Sequence, residues 1–265
     1  MRLGQYRANL ANAIALGTAY RVNFILGLFN VFVPLGLYLL LWSAVFAGGQ
    51  GTIAGYSLSA MLSYYLVSRW LGSLVQWETD WTMWSHIRDG GLSAYLIRPM
   101  NYLAHRAVDA AGQALPAAVV TLLAVAGFGL YLGDRVVVPG DAWTWAAFFA
   151  SVALAYLLSA LLSFLRAVGA FWFSETGWVA YLDRLLITFL AGQLVPLELF
   201  PAPLRAVAQW LPFRGMIYLP AQIFLGRVAN VGAELALQAA WALMIGVCLH
   251  VLWGRGLRLY QAAGG

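Results

Sequence analysis

The chain has 265 residues, of which 63% are hydrophobic and only 9% charged. A soluble domain carries about 25% charged residues, so this composition cannot cover a water-facing surface and calls for a bilayer as solvent. All 15 basic residues are Arg. Without Lys the chain cannot supply the lysine of a phosphate-binding loop, a kinase or a Schiff-base enzyme, and any ATP it uses is hydrolysed elsewhere. The single Cys248 excludes an intrachain disulfide, and His86, His105 and His250 are too far apart for metal-ligand spacing. No cofactor and no nucleic acid is expected on this chain.

In chain order, residues 1–22 come first, with Leu3, Tyr6, Leu10 and Ile14 on one helical face. This pattern predicts an amphipathic helix lying in the membrane interface. No charge occurs between Arg21 and Arg69, and Gly48-Gly49-Gln50-Gly51 divides that gap into spans at 24–46 and 53–76. A crossing needs about 20 apolar residues, and the first run is too long for the apolar core of a signal peptide. Asp109 to Asp134 brackets a third span (108–132), Asp141 to Arg166 a fourth (142–165), and Glu234 to Arg255 the last (233–254). Pro116 is expected to kink the third span, and Gly127 and Gly129 to permit close helix packing. The fifth span (178–197) carries Asp183-Arg184 at its polar end, where Arg can snorkel to the interface.

Two interruptions stand out. Trp70, Trp77, Trp81 and Trp84 recur at helical spacing, so the second helix is expected to continue out of the membrane into a long connection, residues 78–105. Asp89-Gly90-Gly91 should end that helix, Leu92 to Ile97 forms a short apolar turn, and Arg98-Pro99 blocks continuation. Such a turn fits either a plain link between spans or an element that docks into a groove on a cytoplasmic partner. Residues 198–227 contain Pro201, Pro203, Pro212 and Pro220, too broken for a straight span, which suggests a re-entrant hairpin.

The expected fold is an all-α membrane protein. It has six transmembrane helices, an N-terminal interfacial helix, a cytoplasmic coupling helix and a re-entrant outer hairpin between helices five and six. With six spans, eleven arginines (2, 7, 21, 69, 88, 98, 106, 166, 184, 255 and 258) share the side of the termini, against Arg135, Arg205, Arg214 and Arg227 opposite. The positive-inside bias makes both termini cytoplasmic.

The stretch from Ile87 to Pro99 resembles the cytoplasmic segment of ABC-2 type exporter permeases, where a Gly-x-Leu to Pro pattern precedes the third span. The hairpin, with Pro196-Leu-Glu-Leu-Phe-Pro201, Trp210-Leu-Pro-Phe213 and Pro220, is similar to that family's outer region. The order of elements along the whole chain agrees. The resemblance implies a permease subunit of an exporter in a bacterial cytoplasmic (inner) membrane, driven by ABC ATPase subunits that hold the ATP and Mg. It implies a second permease, identical or similar, beside it among the membrane lipids. It also implies that Leu92, Tyr95 and Leu96 enter the ATPase groove. Arg88, Asp89 and Arg98 would make rim contacts, and Gly90, Gly91 and Pro99 would bound the segment. Pro196, Glu198, Pro201, Pro212 and Pro220 would form an outer gate.

Rival classes fit less well. An intramembrane protease needs a Ser in a Gly-rich turn paired with a His, and no Gly-x-Ser-x-Gly turn accompanies His250. A metal-dependent transferase needs clustered carboxylates, and an ion-coupled transporter keeps ionisable groups at the midplane; the spans are nearly free of both. The topology makes a direct prediction. Gln50→Cys is expected to react with an impermeant maleimide added outside, and Ser93→Cys is not; the reverse pattern would invert the orientation.

Overall fold

A computed structural model describes residues 21–49, 51–75, 79–173 and 185–260. The expected interfacial helix falls outside these residues except for its last two, and so does the first part of the fifth span. The helices are α1 (Arg21–Phe46), α2 (Leu58–Val75), α3 (Thr79–Arg88), α4 (Ser93–Leu96), α5 (Tyr102–Leu132) and α6 (Ala142–Val168). They continue with α7 (185–190), α8 (Ala202–Ala208), α9 (Tyr218–Phe224) and α10 (Val231–Leu259). Among the described residues the β pairing is one bridge, Ile53 to Tyr56.

Side-chain caps start three of the long helices. Asn101, Asp141 and Asn230 accept from the backbone N–H of Ala104, Thr144 and Ala233 at 3.0, 2.9 and 3.0 Å. Each satisfies a donor that a helix start leaves free. Asp141 therefore marks a span boundary because it caps a helix. α5 opens six residues before the expected limit and runs unbroken through Pro116 to Leu132.

Among the described residues four helices are long and apolar enough to cross a membrane: α1 from Phe29, α5, α6 and α10. α2 has 18 residues and carries Ser63, Ser68, Arg69 and four further hydroxyl side chains, so its apolarity is lower. Its position accounts for this. Eleven of its residues are buried, because α2 packs against α1, α5, α6 and α9. A helix enclosed by protein need not be lipid-compatible all round.

α7 ends at residue 190, seven residues short of the expected limit of the fifth span. Gly192 adopts φ +77°, a left-handed conformation that glycine accepts at no steric cost. The Tyr64 hydroxyl donates to the Gly192 carbonyl at 2.6 Å, and Tyr65 donates to Leu194 at 2.8 Å. The carbonyls of the turn beyond the helix end thus receive donors from α2, as a low-dielectric setting demands.

Of the three apolar clusters among the described residues, two meet on α6. One gathers Tyr56, Met61 and Leu71 around Phe148, Leu158, Met216, Ile217 and Ile223. The other joins Met83, Ile87, Leu92 and Tyr102 to Phe164, Val168 and Leu249. α6 contributes to both. Its buried face carries Ala147, Ser151, Ala155, Ser159, Ser163 and Ala167, one small residue every fourth position. That row forms a shallow groove into which neighbouring ridges fit. Close packing was expected at Gly127, but no atom stands where its side chain would be; at Gly129 Leu66 is 3.8 Å away.

Gln238 of α10 fastens the hairpin to α6. Its Nε2 donates to the carbonyls of Gly215 (2.7 Å) and Ser151 (2.9 Å), and its Oε1 accepts from the Ser151 hydroxyl at 3.0 Å. Gln238→Leu would leave the buried Gly215 carbonyl without this donor and the buried Ser151 hydroxyl without this acceptor, each costing about 1–3 kcal/mol. A lower thermal unfolding midpoint in detergent is the expected outcome, and an unchanged midpoint would remove Gln238 from the hairpin's anchorage.

Candidate functional site

The Gly-Gly to Pro segment is built from the end of α3. Gly90 takes φ +78° and reverses the chain, while Leu92 N–H donates back to the His86 carbonyl at 2.8 Å. The Ser93 hydroxyl donates to the Gly90 carbonyl at 2.7 Å, and α4 follows as a single turn. Tyr260, beyond α10, accepts from the Ser93 N–H at 3.2 Å. An aromatic stack underlies the turn. His86 lies on Tyr95 with centroids 4.9 Å apart, and Tyr102 stacks on Trp253 at 5.6 Å and 5°. His86 Nδ1 meets the Tyr102 hydroxyl at 2.9 Å. Burial, and secondarily the positive charge of Arg106, lowers the His86 pKa from its ordinary value. The ring therefore stays neutral in this stack near pH 7.

The segment has two faces. Leu92 is fully buried, with Ile87 and Met83 beside it. Leu96 is 45% and Ile97 86% exposed. Arg88, Asp89, Arg98 and Pro99 are also exposed, and the Arg98 guanidinium sits 5.1 Å from the Tyr95 ring centroid. From sequence Leu92 is expected in a partner's groove; in its own chain it occupies the core and has no surface to offer. Ile97, which the resemblance did not single out, is the most exposed apolar side chain there. Its signal was available, since it directly precedes Arg98-Pro99, but burial alone separates it from Leu92.

At the hairpin, Glu198 is half-buried and accepts from three donors. Tyr56 reaches Oε2 at 3.0 Å, while Tyr218 and the Gln222 amide reach Oε1 at 2.7 and 3.0 Å. Gln222 also donates to the Tyr56 hydroxyl. Arg227 lies 3.8 Å over the Tyr56 ring and donates to the Gly55 carbonyl at 2.7 Å. Burial first, then the Glu198 charge, raises the pKa of both Tyr56 and Tyr218, so these phenols remain donors at any ordinary pH. The network ties the tight turn at 53–56 to the hairpin. Pro196, Pro212 and Pro220 are buried and Pro201 is exposed. Pro212 stands apart from Glu198, beside the Arg214–Glu234 ion pair that holds the hairpin to α10.

The family model described as "ABC-2 family transporter protein" matches residues 32–264, which include both features. The chain belongs to the ABC-2 transporter family. It is accordingly a permease component of an ABC transporter, a membrane subunit that associates with an ABC ATPase. No curated protein matches it. In this ABC-2 permease the two features are not brought together; they sit in different clusters, one at each end of α6. Tyr56, Tyr218, Gln222 and Arg227 were missed in the sequence. They are scattered over about 170 positions, and no spacing rule collects them.

The two faces of the segment are separable by mutation. Leu92→Asp places a charge in the permease's core and should cost several kcal/mol (about 3 or more), lowering the unfolding midpoint strongly. Ile97→Asp changes a solvent-facing position and should stay within about 0.5 kcal/mol. Equal destabilisation by both would contradict the burial pattern.

Proposed function

We propose that this permease is the transport half of an exporter, in which two permeases, identical or similar, work with separate ATPase subunits that bind the ATP and Mg. The single observation that carries the reading is the one-turn helix α4. It offers exposed Leu96 and Ile97, rimmed by Arg88, Asp89 and Arg98, on a base fixed by buried Leu92. An apolar knob with a charged rim suits a groove on a partner, and the base makes the knob stiff enough to transmit force. Tyr95, packed between His86 and Arg98, orients the turn. Gly90, Gly91 and Pro99 set its limits.

In this reading six spans cross a bacterial cytoplasmic (inner) membrane with both termini in the cytoplasm. The four long apolar helices, the enclosed α2 and the helix that ends at 190 supply them. Closure of the ATPases pushes α4, and α6 carries the displacement, because its residues from Ala160 to Val168 pack on the coupling segment while Phe148 to Leu158 pack on the hairpin. The hairpin serves as the outer gate. Pro196, Pro212 and Pro220 stiffen its buried part, Pro201 starts α8 at its exposed edge, and Glu198 latches it to the 53–56 turn.

Copurification in mild detergent tests the reading. The native chain should bring down an ATPase, and Leu96→Asp and Ile97→Asp should lose it at least tenfold while keeping their unfolding midpoints. Retention of the ATPase by both variants would refute docking through α4. A native complex with no ATPase at all would refute the energy source.

A further inference from the structure

α1 contains Pro34, which has no N–H. The carbonyl four residues back, that of Asn30, therefore loses its helical donor. The Arg69 guanidinium on α2 takes that place and donates to Asn30 O at 2.8 Å. This contact uses one of five N–H donors. Arg69 Nε is buried with no partner, and no carboxylate pairs with Arg69 among the described residues. Beside it lies a cavity of about 200 Å³, lined by Pro34, Tyr38, Ser68, Arg69 and Gln193. A single water needs about 10–15 Å³, so the space suits a chemical group larger than one solvent molecule. Gln193 Oε1, a pure acceptor, is buried in the cavity lining without a partner, and the stacked rings of Tyr38 and Tyr65, 4.1 Å apart, also line it. A cation held inside a bundle with unspent donors is expensive unless something completes it.

We propose that this cavity binds the acidic headgroup of an amphipathic molecule that carries a hydroxyl or P–OH beside its carboxylate or phosphate charge, with Arg69 as the anion-binding residue and Gln193 accepting from that hydroxyl. The 200 Å³ space holds the headgroup alone, which leaves the hydrocarbon part to the bilayer. The headgroup comes either from the exported cargo or from a resident lipid. The cargo alternative rests on the export reading above; the binding itself does not.

The test uses the full-length chain, without nucleotide, in zwitterionic phosphatidylcholine nanodiscs. Dodecyl phosphate is titrated near pH 6, where it keeps a P–OH donor, and dodecyltrimethylammonium serves as the matched cation. Binding is read from the shift of the thermal unfolding midpoint. Dodecyl phosphate should bind saturably and the cation should not. Arg69→Gln keeps a donor for Asn30 but removes the charge, and should weaken phosphate binding about tenfold or more. Arg69→Lys should keep most of it. Gln193→Leu leaves the Asn30 contact intact, guards against a folding defect in the Arg69 variants, and should weaken binding severalfold. Competition by added phosphatidylglycerol assigns the headgroup to a lipid, and its absence to cargo. Equal binding of the cation, or full affinity in both Arg69→Gln and Gln193→Leu, overturns the proposal. Failure to copurify an ATPase leaves this readout untouched, so the two ideas fail separately.

Discussion

The fold depends on the close packing of α6 with its neighbours. A small residue at every fourth position, from Ala147 to Ala167, removes the side-chain bulk that would hold neighbouring helices away. α10 lies along this helix, and α9 and α3 pack on it at different heights. Because dispersion falls off steeply with separation, this closeness is what makes the contacts effective where no hydrophobic drive exists between helices. The same helix therefore holds the hairpin at one end and the coupling segment at the other. A displacement of either end has a stiff path to the other.

The second constraint is polar. Inside a bundle every backbone group freed by Pro or Gly must find a donor or acceptor. The chain resolves this with side chains from distant positions. Arg69 takes the carbonyl that Pro34 orphans, Tyr64 and Tyr65 take two in the turn beyond α7, and Gln238 takes one in the hairpin and one on α6. These contacts explain why α2 is less apolar than its neighbours. Its hydroxyls and its arginine serve other segments and are enclosed with them.

Much of the coupling segment was legible in the sequence. Gly90 ends α3 with a positive φ, and a single turn follows before Pro99, as glycine and proline chemistry require. Which leucine faces outward was not legible. Leu92 and Leu96 are four apart and carry equal hydropathy, yet only the core formed with Met83 and Val168 buries the first. At the hairpin, Glu198 was visible as a lone carboxylate near a helix end. Its three donors come from two distant places in the chain, the 53–56 turn and α9, so the network around it was invisible until they met.

The sequence by itself determined the solvent, the helical class and the two interruptions. Composition, charge spacing and turn residues are local properties, and a bilayer enforces them without reference to the partner helix. Tertiary structure decided which side of each interruption is free to act. It also placed Arg69 against α1 beside a cavity and α2 at the centre of the bundle. Those outcomes rest on side chains more than thirty positions apart meeting in space, and no local pattern encodes such a meeting.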